Sequence, residues 1–310
     1  MKRAFALLVL VAAVAIPLSA DAQGRPRAPR GGGRAAPHGP AHEGDEADPT
    51  GPLSTISDLP TIVPRLHSAN PAEVREAIDM LTIIDRPEVV PPLAELLRSG
   101  QTDVVTDRAL EALEALAKPQ SIDVLVEFTH HRREAARRRA YLALAAIRDS
   151  RVPTLIEQGL RDSDRAVRGA AALALGDIGA RASVPTLFRA FERGVLEAAI
   201  AIGKLGDAAA VAHFTESLNH QPLAVMLSGY EEFVRRRDLS DQVKLDIVAH
   251  LAEVPGPMVK TFLQGYARTF TERDHGPVRR AVEETIRRMP DVATGTNLPV
   301  PAAAPTGGAQ

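Results

Sequence analysis

The 310-residue sequence has no cysteine and no tryptophan, only three tyrosines and eight phenylalanines, and no large excess of charge of either sign. Without cysteine there is no disulfide, no thiolate metal site and no lipid-modified N-terminal cysteine, so packing alone must hold the chain together. The scarcity of aromatics weighs against carbohydrate recognition by stacking. With 37 Lys and Arg against 39 Asp and Glu, the net charge is −2. Nucleic-acid binding usually shows as a basic domain, and here that partner is disfavoured. Strand-like alternation is missing as well, and the middle of the chain follows a helical period throughout.

What is present begins with an address. Lys2 and Arg3 precede an apolar run from Ala4 to Ile16, which ends at Pro17 and leads into Ala20-Asp21-Ala22. A basic start, an apolar stretch too short for a bilayer span and a small-residue site predict a secretory signal over 1–22, cut after Ala22. The expected location is outside the cytosol: the periplasm first, with secretion or surface display as alternatives. Cleavage removes Lys2, Arg3 and Asp21 and takes the net charge from −2 to −3. Residues 23–52 are rich in Gly, Pro, Ala and Arg, offer little to bury and are expected to form a disordered linker. Residues 291–310, with Pro299, Pro301 and Pro305, are expected to form a second loose tail.

Between them, over 53–290, a phrase returns: Val63-Pro64-Arg65-Leu66, Val90-Pro91-Pro92-Leu93, Val152-Pro153-Thr154-Leu155 and Val184-Pro185-Thr186-Leu187, with the degenerate Ile122-Asp123-Val124-Leu125 among them. Starts 27 to 32 residues apart mark one supersecondary unit copied along a solenoid. Proline is tolerated in a helix's first turn, so the phrase predicts helix starts. A second register, Val74-Arg75, Ala136-Arg137, Val167-Arg168, Val243-Lys244 and Val278-Arg279, precedes apolar positions seven and ten residues on, which share one helical face. Arg108 takes this place in the second unit. The fold class is therefore all-α, an α–α superhelix of about six to seven helical hairpins. The fifth unit departs from the register, with Val195 where the arginine belongs. The 48 residues separating Val211 from Val259 exceed one repeat and leave room for an extra helix.

Through Val152-Pro153-Thr154-Leu155, Asp164, Val167-Arg168 and Ala170 to Gly179, the chain resembles the HEAT-repeat family, including its short bilin-lyase-like form, over roughly 57–289. The resemblance implies an armadillo-like superhelix with ladders between the turn Asp and the second-helix Arg of neighbouring repeats. By that resemblance Asp164, Arg75, Arg137, Arg168 and Arg279 are the expected ladder members. Deoxyhypusine hydroxylase, a HEAT-like enzyme class, binds di-iron through His-Glu pairs; the one such pair here is His42-Glu43, in the tail. Fold alone does not carry a bilin-lyase activity across.

No local constellation of nucleophile, acid–base pair or metal ligands emerges, and no cofactor is expected. His130 and His131 are adjacent and point apart, and Pro222 interrupts the face that His213 and His220 would share. The Phe262, Tyr266 and Phe270 stripe reads as a buried helix face. The surface feature above background is a basic cluster. Arg132 and Arg133 stand at a helix start, where the dipole disfavours cations, and Arg138 and Arg139 follow. Those four residues are the candidate site for a protein partner, an acidic segment or an anionic polymer. Arg235 to Arg237 and Arg287-Arg288 fall at helix C-termini, where cations are favourable without any further role. The expected function is a non-catalytic, exported interaction scaffold. The alternatives are an enzyme or accessory subunit with dispersed catalytic groups, and a structural envelope component.

Overall fold

A computed structural model describes residues 55–218 and 220–289. The expected signal (1–22), the linker (23–52), the tail (291–310) and the His42-Glu43 pair all lie outside the described residues. Among those described there are fifteen α-helices and no strand. They are α1 (Leu59–Ile62), α2 (Pro71–Ile84), α3 (Val90–Arg98), α4 (Asp103–Leu116) and α5 (Ile122–Phe128). Then follow α6 (Glu134–Ala146), α7 (Val152–Gly159), α8 (Arg165–Asp177), α9 (Val184–Glu192) and α10 (Ala198–Leu205). The array closes with α11 (Ala208–Glu216), α12 (Leu223–Arg235), α13 (Asp241–Ala252), α14 (Pro257–Ala267) and α15 (Pro277–Arg288).

The Val-Pro phrase opens α3, α7 and α9 with proline in the first turn, where its missing N–H has no partner to lose. The copy at Val63 differs, because Val63–His67 is a 3-10 segment following the short α1. Other starts are capped by side chains. Asn70, Asp164, Asp207 and Ser240 accept from the backbone N–H of Ala72, Val167, Ala210 and Val243, which satisfies donors that the helix itself leaves open.

Helices alternate between two rows. In one, α2, α4, α6, α8, α10 and α12 each pack directly on the next; the first helices of neighbouring pairs stand further apart. The even-numbered helices thus form the more closely packed row, the inner row. Small residues permit the close approach: Ala171, Ala172 and Ala174 of α8 are buried, and a Cβ on Gly176 would lie 3.1 Å from the Cα of Ala201 in α10. Between α10 and α12 a Cβ on Gly203 would overlap the carbonyl oxygen of Gly229, so only glycine fits this crossing.

The core is aliphatic through the first units and aromatic later. Phe214 sits against Phe191, Tyr230 and Phe233, with ring centroids 5.3–5.7 Å apart. Burial pushes the Tyr230 phenol above its ordinary range, and its hydroxyl donates to Thr215 Oγ1 at 3.1 Å. Beyond α12 the pairing pattern changes. α13 packs on α11 and α15, and α14 on α12 and α15. The Val-Lys and Val-Arg register, carried by inner-row helices earlier, now marks α13 and α15, which extend the row of α11. An extra helix in the long interval has moved this register from one row to the other, while the helices go on alternating.

Candidate partner-binding surface

The basic cluster does not act as one patch. Arg133, at the N-cap of α6, reaches back to the preceding unit and pairs with Asp107 at 2.7 Å and Asp103 at 3.3 Å. Arg139 bonds Glu111 at 3.0 Å and Glu114 at 3.2 Å. Arg132 and Arg138 are exposed and have no partner among the described residues. The unfavourable helix-start position of Arg133 is thus compensated by two carboxylates across the repeat boundary. Of the four candidate residues, half are engaged within the fold, and Arg138 alone points from the exposed face of α6 that also carries Glu134 and Leu142.

An inter-repeat ladder exists; of the members expected by resemblance Arg137 takes part in inter-repeat pairing, and the other partners differ. Arg108 bonds Asp79 at 2.5 Å and Glu111 at 3.2 Å, and Glu111 then accepts from Arg139, linking α2, α4 and α6. Lys204 and Asp177 continue the theme at 2.6 Å between α10 and α8. Arg137 makes a bidentate pair with both oxygens at 2.8 Å, on Asp162 rather than on Asp164. The Asp164 carboxylate is already occupied as the cap of α8. Arg168 donates to the carbonyls of Asp162 and Ser163 in its own loop, Arg75 to the Pro71 carbonyl, and Arg279 to Glu283 and the carbonyls of Thr271 and Asp274. Among the described residues, none of these three pairs with a carboxylate of a neighbouring repeat. Partial burial pushes the Asp162 carboxyl up, but the Arg137 guanidinium and the Asp164 N–H outweigh it and hold the group below its ordinary range.

The late segment carries a groove that the sequence did not reveal. Two hollows of about 400 and 540 Å³ meet at Val234, Arg235, Tyr266 and Thr269, between α12 and α14. Phe262 and Phe270 are half-buried and line this groove, while Tyr266 is buried and its phenol is pushed up to about 12 by desolvation. The stripe is therefore core along its Tyr266 edge and groove floor at its flanks. Arg235 is tied to Glu231 at 2.5 Å. Arg236 clamps the Gly203 and Gly206 carbonyls and Asp238, and its hydrogen bonds hold the Asp238 carboxyl well below the usual range. Arg237, Lys244 and Arg268 also line the groove and have no partner among the described residues. Asp274, at the far end, accepts from the Thr271 N–H and hydroxyl, which lower its pKa.

The histidines serve local structure. His131 stacks on Phe128 at 5.4 Å and accepts from the Arg133 N–H, and His213 stacks on Phe188 at 4.2 Å. Since α11 ends at Glu216, His213 and His220 do not share a helix. Among the described residues no three His, Asp or Glu side chains are grouped to hold a metal, and no helix is long and apolar enough to cross a membrane.

From α7 into α12 the alternating hairpins and small-residue seams are similar to HEAT repeats. Residues 152–229, from α7 into α12, match the HEAT-repeat family model. No curated protein matches the chain. Among solved structures it is similar to the CpcE–CpcF complex of phycocyanin lyase from Nostoc sp. PCC7120, at 16% identity and TM-score 0.42, covering 80% of this chain and 99% of that one. It is also similar to human deoxyhypusine hydroxylase in complex with glycerol, at 16% identity and TM-score 0.37, covering 74% and 94%. An engineered protein aligns at 17% identity and TM-score 0.34, covering 74% and 95%. At these values nothing about ligands or reactions passes to the present chain.

Proposed function

We propose that this protein is an exported, non-catalytic scaffold whose inner helix row binds a protein partner. The observation that carries the reading is the ladder of Asp79, Arg108, Glu111, Arg139 and Glu114, which fixes long charged side chains on three successive inner helices. Side chains already held in place lose little conformational freedom on association, so a ladder-braced face is suited to binding. Stacked repeats extend that face along the array. Export rests on the signal at the start of the sequence, and the periplasm is the proposed compartment.

The test is site-specific photo-cross-linking of the full chain in its native cells, with the probe at Arg138 on exposed α6 or at Glu95 on exposed α3 in the other row. A discrete adduct from position 138, absent from position 95, is the expected result. Equal adducts from both, or none from position 138, would overturn the reading.

A further inference from the structure

We infer that the groove between α12 and α14 is a docking site for an acidic protein segment that carries an apolar side chain. The inference deepens the scaffold reading and rests on it. The first argument is one of unbalanced charge. Most cations that face this part of the array are matched: Arg235 by Glu231, Arg236 and Arg181 by Asp238. Arg237, just past the end of α12, Lys244, in α13, and Arg268, closing α14, line the two joined hollows from three elements, and none of the three pairs with a carboxylate among the described residues. A helix C-terminus explains a cation beside Arg235 or Arg268. It does not explain Lys244, which lies near the start of α13, where the dipole opposes it.

The second argument is the groove's chemistry. Its floor is apolar, formed by Val234, Phe262, Tyr266 and Phe270, and hydroxyls of Thr261, Thr269 and Thr271 stand along it. A simple inorganic anion would leave that floor exposed. A nucleic acid would meet too few cations on a chain of net acidic charge. A peptide with carboxylates flanking an apolar side chain satisfies both parts: guanidinium and ammonium groups pair with the carboxylates, and the side chain covers the aromatic edges. The acids Glu231 and Asp274 line the groove too, and both are already engaged, by Arg235 and by the Thr271 turn. The lining still carries an excess of positive charge, with Arg235, Arg237, Lys244 and Arg268 against Glu231 and Asp274.

The experiment selects short random peptides, displayed on phage, against the immobilised full chain. Enriched sequences are expected to place Asp or Glu around an aromatic or large aliphatic residue. A synthetic peptide of the enriched sequence is expected to bind R237S/K244S/R268S at least about tenfold more weakly and with a flatter salt dependence. The F262A variant is expected to weaken the same peptide without flattening its salt dependence. Arg237 and Arg268 are exposed and Lys244 is half-buried, and circular dichroism checks that each variant stays folded. No enrichment, enrichment of neutral or basic peptides, undiminished binding to the triple variant, or preference for dextran sulfate over the peptide would each overturn the assignment. Retained cross-linking from Arg138 alongside any of these results would remove the groove and leave the scaffold reading standing; loss of that cross-link alone would remove the scaffold reading.

Discussion

Arg137 is the residue on which the local and the inter-repeat structure of this chain meet. Its guanidinium spans Asp162 of the next unit and the carbonyls of His131 and Arg132 in its own loop, with the side chains of Arg137 and Asp162 only 13% and 9% exposed. Replacing Arg137 by Ala strands a largely buried carboxylate, and the expected loss is about 1–3 kcal/mol in urea denaturation. The sign of the pH effect follows from Asp162, whose carboxyl is held below its unfolded value. The stabilisation is present above about pH 4, the ordinary carboxylate range, and is lost as pH falls through the lower folded value. The variant should therefore show a shallower decline of stability on the acid side than the parent. An equally steep decline would show that Asp162 is not a source of that dependence.

At the scale of the element, α10 shows what happens when the repeat is cut short. The loop before it, Arg193-Gly194-Val195-Leu196-Glu197, offers no aspartate for Arg168, which turns to its own loop carbonyls instead. Val195, standing where the sequence pattern would place an arginine, is buried at 2% exposure and is part of the core. Restoring the pattern with Val195→Arg should therefore destabilise the protein by about 3 kcal/mol or more, because a charge would be buried without a partner. An unchanged denaturation midpoint would mean that the loop reopens to accommodate the side chain. On the other side of α10, the Gly203 and Gly229 crossing brings α12 onto it more closely than a side chain would permit.

Among the described residues, each inner helix packs on the inner helices before and after it and on the outer helices beside it, so stability is close to a sum of repeat and nearest-neighbour terms along the array. A buried charge in the middle, Ala140→Asp in α6, should lower hydrogen-exchange protection in α4, α6 and α8 while leaving α14 and α15 unchanged. A uniform loss of protection from α2 to α15 would show instead a single cooperative unit. The far end is fastened separately: Lys260 of α14, 8% exposed, donates to the Met289 carbonyl just beyond α15. The last helices are thereby joined to each other through a buried polar contact as well as through apolar packing.

The sequence by itself determined the array, because a helical hairpin is written in local signals. Proline in a first turn and apolar positions on one face are each legible within one turn or two of chain. The breaks in the pattern, at Val195 and in the long interval after Val211, were legible for the same reason. Only the tertiary structure decided which charges are free. The partners of Arg108, Arg133, Arg137 and Arg139 lie in neighbouring repeats, 25 to 30 positions away, and no local spacing distinguishes Asp162 from Asp164 as the acceptor. The α12–α14 groove was equally hidden, since its walls come from two helices separated in the chain by α13. Side-chain pairing across a solenoid depends on the rotation of one repeat against the next, and that rotation is set by packing between surfaces distant in the chain.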